Sequence, residues 1–149
     1  MKKILIFILS LSSTIAVAQS YMIKQLSIEQ RLSNNFVVSI AQDKKGFLWF
    51  ATEEGLNKFD GSHFITYYKK QGNREGLTAN ELNCLLDDPN DSILWIGTQS
   101  CGLNAYDYIN NRFSYYLHDK NNPQSIITND ITSIRPASDG NLWITTYWD

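Results

Sequence analysis

Asn80-Glu81-Leu82-Asn83-Cys84-Leu85, a turn, Leu94-Trp95-Ile96-Gly97-Thr98, a second turn and Gly102-Leu103-Asn104-Ala105-Tyr106-Asp107 form a unit that recurs along the chain. Its first segment returns as Asn35-Phe36-Val37-Val38-Ser39-Ile40 and Asn129-Asp130-Ile131-Thr132-Ser133-Ile134, its second as Leu48-Trp49-Phe50-Ala51-Thr52 and Leu142-Trp143-Ile144-Thr145-Thr146. Trp49, Trp95 and Trp143 fall 46 and 48 residues apart, and Gly55-Leu56-Asn57-Lys58-Phe59-Asp60 is the earlier copy of the third segment. An aromatic stretch closes each complete unit, Phe64 to Tyr68 and Phe113 to Leu117.

These segments are short, alternate apolar or β-branched with polar residues, and are punctuated by Gly, Asn and Asp; no helical period runs through them. Four strands in a unit of 40 to 50 residues predict a propeller blade. The expected strands are 36 to 42, 47 to 52, 56 to 60 and 64 to 68 in the first copy, and 81 to 87, 93 to 98, 103 to 107 and 113 to 117 in the second. The fold class that follows is all-β, a partial β-propeller of about two and a half four-stranded antiparallel blades. Blade 1 is expected over residues 32–76, blade 2 over 77–125 and the first half of blade 3 over 126–149.

Lys2 and Lys3 precede the apolar run Ile4 to Leu11, which ends in Ala16-Val17-Ala18. This is the pattern of a secretory signal peptide over 1–18, and it leaves 19–31 as a lead-in strand or linker. The run is too short and too interrupted by Ser and Thr for a bilayer-spanning helix. Removing it takes two lysines from 13 basic residues and none of the 15 acidic ones, so the mature chain is mildly acidic. Nucleic-acid and anionic-membrane partners, which call for a basic patch, are disfavoured. At 43% hydrophobic and 13% aromatic residues the chain can build a core.

The pattern over 80–107 resembles the two-component regulator propeller repeat, and the resemblance extends over residues 32–149. It implies the periplasmic sensor region of a hybrid two-component protein, whose further parts are an immunoglobulin-like domain, a membrane helix, a histidine kinase and a response regulator. It also implies a carbohydrate stimulus. His63 and His118 lie in strand and loop patterns rather than in a phosphoacceptor helix, so no kinase activity is expected of these residues. The third copy reaches Asp149 between its second and third strands. The expectation is a fragment whose open edge is covered by remaining blades or by a self-partner, and whose residues 19–149 alone are marginally stable.

Trp49, Trp95, Trp143, Ile40, Leu85 and Ile134 are expected to form the repeat core. Asn35, Asn80 and Asn129 are expected to bond their own backbone and shape the turn before each first strand. Asp87-Asp88-Pro89-Asn90-Asp91 is rich in oxygen ligands but lacks the glycine and glutamate of a calcium loop, and reads as a turn. With Leu85 placed opposite Trp95, Cys84 and Cys101 are too far apart to bridge, which predicts two free thiols with Cys84 buried. Trp148-Asp149 spells another propeller family's dipeptide but falls in the wrong loop.

No catalytic elbow, metal-ligand spacing or cofactor motif is present. Ligand contacts are expected on the face that gathers the loops after second strands and the linkers between blades: Glu53, Glu54, Gln99, Ser100, Tyr147 and Trp148. An oligosaccharide is the ligand expected there. Two other classes stay open, a fragment of a polysaccharide-acting propeller enzyme and a structural module that adds its edge to another chain.

Overall fold

The computed structural model describes residues 22–70 and 75–147, so the leader and Trp148 lie outside the described residues. The first sheet is β1 (Val37–Gln42), β2 (Leu48–Thr52), β3 (Gly55–Phe59) and β4 (Phe64–Tyr67), paired antiparallel in chain order. The second repeats it with β5 (Leu82–Asp87), β6 (Ile93–Thr98), β7 (Leu103–Asp107) and β8 (Arg112–Tyr116). β9 (Ile131–Pro136) and β10 (Leu142–Thr146) form a third, two-stranded sheet. The expected strand limits in the first two copies hold to within one residue.

The register differs from the expected one by a single step. Leu86, not Leu85, faces Trp95, and Cys84 faces Gly97. The cause is the turn: the Asp88 N–H donates to the Ile93 carbonyl at 2.9 Å and sets the pairing outward from there. Each first strand also carries a bulge, at Val38, Asn83 and Thr132, which adds local twist.

Sheet packing explains which repeat residues are buried. Trp49, Ala51 and Leu56 on one face of the first sheet meet Leu82, Leu85, Leu94, Ile96, Tyr106 and Phe113 of the second. The opposite face of the second sheet, with Cys84, Leu86, Trp95 and Leu103, meets Ile131, Ile134, Leu142 and Ile144 of the third. The tryptophan of one sheet is thus covered by the next sheet, and the apolar residue of a first strand by the preceding one.

Leu85 and Ile134 are buried accordingly, and Trp49 is fully buried. Two expected core residues are not. Trp143 is 71% exposed and Ile40 59% exposed, because no described sheet follows the third or precedes the first. Residues Leu26 and Leu32 cover Phe50 and Phe59 on the first sheet's outer face, but leave Ile40 open. Trp95 is half-buried, against only two strands and the ring of Tyr116 at 5.7 Å.

A second device holds the tryptophans. The indole N–H of Trp49 donates to Asp43 Oδ2 and that of Trp95 to Asp88 Oδ2, each at 2.9 Å. The other oxygen of each carboxylate closes its turn, Asp43 on the Lys45 and Phe47 amides and Asp88 on those of Asn90 and Asp91. Burial raises the Asp88 carboxyl, but these donors outweigh it and hold the group below the ordinary carboxylate range. Asp88 is therefore occupied in shaping its turn. Ala137 takes this position in the third repeat, as its N–H bond to the Asn141 carbonyl shows. Trp143 has no carboxylate there to accept its indole.

Cys84 and Cys101 are both free thiols. Cys84 is half-buried rather than buried, and that burial pushes its thiol up to about 11. At pH 8 roughly one molecule in a thousand then carries the reactive thiolate. Iodoacetamide at pH 8 is expected to modify Cys101 in the folded chain and Cys84 only after denaturation. Peptide mass spectrometry checks this, and equal labelling rates would contradict it.

Candidate functional site

The hairpin tips after second strands are built alike. Thr52 Oγ1 donates to the Gly55 carbonyl and accepts the Glu54 N–H; Thr98 Oγ1 donates to the Gly102 carbonyl and accepts the Cys101 N–H. The glycines take the positive φ such a tip demands, 110° at Gly55 and 80° at Gly102. Each then ties its sheet to the following linker, Gly55 N–H to the Asn80 carbonyl and Gly102 N–H to the Asn129 carbonyl.

The linker asparagines do not bond their own backbone. Asn80 Oδ1 accepts the Lys69 N–H and Asn129 Oδ1 the His118 N–H, both at 2.7 Å, and Asn35 Oδ1 accepts the Ile28 N–H at 2.9 Å. Each side chain reaches 7 to 11 residues back; Asn80 and Asn129 pin the chain just past the outer strands β4 and β8, and Asn35 pins the start of the turn Ile28–Gln30. The local turn bond falls instead to Asn34, whose Oδ1 accepts the Phe36 N–H at 2.7 Å.

Two of these linkers also meet the tips through their backbones, Gln99 N–H to the Glu81 carbonyl at 3.1 Å and Tyr147 N–H to the Asp130 carbonyl at 3.0 Å. Between the second and third sheets this produces an open depression of about 240 Å³ lined by Gln99, Ser100, Thr128, Asn129, Asp130 and Tyr147. Three of the expected contact residues, Gln99, Ser100 and Tyr147, are brought together there. Glu53 and Glu54 sit on the first sheet's tip and do not line it. Trp148 lies outside the described residues.

The sequence pattern places linkers on this face but does not single out Thr128 or Asp130, and it marks Asn129 as structural. Asp130 Oδ1 accepts a bond from Asn83 Nδ2 at 3.3 Å, and its N–H donates to Thr128 Oγ1 at 3.2 Å. The Tyr147 ring is 68% exposed. The depression thus presents an aromatic ring with its phenol hydroxyl, two amides, two aliphatic hydroxyls and one carboxylate. A flat ring beside several hydrogen-bonding groups suits a polyhydroxylated ligand with one apolar face. Across the tips and linkers 52–55, 78–82, 98–102 and 128–131 the charged residues are Glu53, Glu54, Glu81 and Asp130, with no Lys or Arg.

A wider hollow of about 900 Å³ lies at the outer rim, lined by Lys70, Glu75, Arg112 and Tyr115 among others, and takes no group from the tip face. Among the described residues no group of three or more His, Cys, Asp or Glu stands together as a metal site. Among them, no helix is long and apolar enough to cross a membrane.

The family model described as two component regulator propeller matches residues 31–54 and 125–148, the first hairpins of the first and third sheets with their lead-ins. Those two stretches match the two-component regulator propeller repeat. The extracellular domain of a hybrid two-component system from B. thetaiotaomicron is 53% identical, with a TM-score of 0.81 over 87% of this chain and 18% of that one. A second such domain from the same organism is 27% identical, with a TM-score of 0.63 over 85% of this chain and 18% of that one. Histidine kinase P4 of Formosa agariphila is 38% identical over 72 residues, 45% of this chain and 5% of that protein. The chain therefore spans less than a fifth of each of these relatives.

Proposed function

We propose that these repeats belong to the extracellular sensor of a hybrid two-component signalling protein, and that they bind a carbohydrate without transforming it. The leader over 1–18 exports the chain to the periplasm, and 32–76, 77–125 and 126–149 act as successive blades. The observation that carries the ligand class is the convergence of the exposed Tyr147 ring with Gln99, Asn129 and Asp130 in one depression. It favours binding over hydrolysis. Cleaving a glycosidic bond usually takes a pair of carboxylates, and the lining residues supply one.

Calorimetric titration of the protein with a panel of oligosaccharides tests this, beside Tyr147→Ala. Tyr147 is exposed, so its removal is expected to leave stability within about 0.5 kcal/mol while weakening binding at least about tenfold, the loss of one stacked ring. Absence of binding across the panel, or equal binding by the variant, refutes the proposal. Turnover of a bound saccharide refutes its non-catalytic part.

A further inference from the structure

The charges around the depression are all of one sign. Gln99 and Ser100 sit between two acidic residues: Glu81, whose carbonyl accepts the Gln99 N–H at 3.1 Å, and Asp130, next to the Asn129 carbonyl that accepts the Gly102 N–H at 2.8 Å. Glu53 and Glu54 extend the same sign along the first sheet's tip. None of the four has an ion-pair partner among the described residues, and the lining residues include no Lys, Arg or His.

Asp130 is the one charge inside the depression, and it is held in place. Its Oδ1 accepts from Asn83 Nδ2 at 3.3 Å, and the same Nδ2 also donates to the Ile131 carbonyl at 3.0 Å. Its Oδ2 accepts from no described residue and is open to a ligand hydroxyl. The other polar groups of the lining are neutral. Asn129 spends its Oδ1 on the His118 N–H, and Thr128 Oγ1 accepts the Asp130 N–H, so each keeps a donor for a ligand. A sugar hydroxyl both gives and takes hydrogen bonds and suits all of these partners. A carboxylate or sulfate only accepts, and the charged fork that best receives it is lacking among the lining residues.

We propose that this face selects uncharged sugar residues and rejects uronates and sulfated sugars, and that Asp130 sets the choice. The proposal rests on the carbohydrate reading above. A ligand carboxylate brought to about 4 Å from Asp130 is repelled by an amount worth about fivefold in affinity in water-like surroundings, and more where the ligand expels water. Stacking on Tyr147 does not separate the two classes, because the ring meets the apolar face of the sugar in either. Specificity thus resides in a different residue from the one that supplies the stacked ring.

Neutral gluco-, galacto- and manno-oligosaccharides, each beside the same chain oxidised to the uronate at C6, test this by calorimetric titration into the protein. The neutral member of a binding pair is expected to bind at least about fivefold more tightly at about 20 mM sodium chloride, and the ratio to narrow to about twofold at about 500 mM, where exposed charges are screened. Asp130→Asn, which keeps the acceptor for Asn83, is expected to narrow the ratio in the same way at low salt. A uronate that binds as tightly as its neutral parent, or a ratio unmoved by Asp130→Asn, overturns the selectivity and leaves carbohydrate binding standing. Failure of both members of every pair to bind overturns the carbohydrate reading, and the selectivity falls with it.

Discussion

Trp49→Ala is expected to destabilise the chain by about 3–5 kcal/mol, while Trp143→Ala, the same change at the equivalent position one sheet removed from cover, alters it by less than about 0.5 kcal/mol. Trp49 is fully enclosed between the first two sheets, against Tyr67 and Tyr106 with ring centroids 5.8 and 5.6 Å away. Its removal opens a void and strands the buried Asp43 carboxylate, which loses the indole donor. Trp143 is mostly in solvent and has no such carboxylate, because Ala137 replaces it. Urea denaturation followed by circular dichroism compares the two. Equal losses would mean that the third sheet is covered in the chain on its own.

Gly102→Ala is expected to cost about 2–5 kcal/mol, combining the penalty of a left-handed backbone for a residue with a Cβ and the overpacking around it. A Cβ at Gly102 would stand 2.5 Å from the Tyr116 carbonyl oxygen and 2.7 Å from Leu117 Cδ2. The first is backbone, in the strand that packs beside the tip, and has no rotamer to yield. Gly140 has a similar φ of 85° but nothing within 4 Å of the added Cβ. Gly140→Ala should therefore cost only about 1–2 kcal/mol. Thermal melts of both variants check the difference, and a Gly102 variant no worse than the Gly140 variant would show that the tip can relax.

The strands were legible because the copies share the same marks: tryptophan in every second strand and, in the two complete copies, glycine opening the third strand and an aromatic stretch in the fourth. Register was less legible. Whether Leu85 or Leu86 faces Trp95 depends on how many residues the Asp88–Ile93 turn encloses, and turn closure is a backbone bond that residue types do not specify. Burial of Ile40 and Trp143 could not be read from the repeat either. A repeat names the residue that faces a neighbour, and only the packed sheets say whether the neighbour is there.

For the candidate site the outcome divides in the same way. Gln99, Ser100 and Tyr147 were predicted from their place on tips. Asp130 joins them through the backbone bond from Tyr147, a contact across 17 residues that nothing in its own segment announces. The asparagines were recognised as structural, but their partners lie upstream across a turn. The substitution of Ala137 for Asp43 and Asp88 is visible in the aligned copies. Its meaning appears only once the carboxylates are seen holding the indoles.

The claim on which the rest depends is that each sheet is covered by the next, tryptophan face against first-strand face. Hydroxyl-radical footprinting of residues 19–149, read by mass spectrometry, tests it most directly. The account predicts that Trp49 stays unmodified, Trp95 is modified slowly and Trp143 rapidly. Modification of Trp49 at the rate of Trp143 would contradict it.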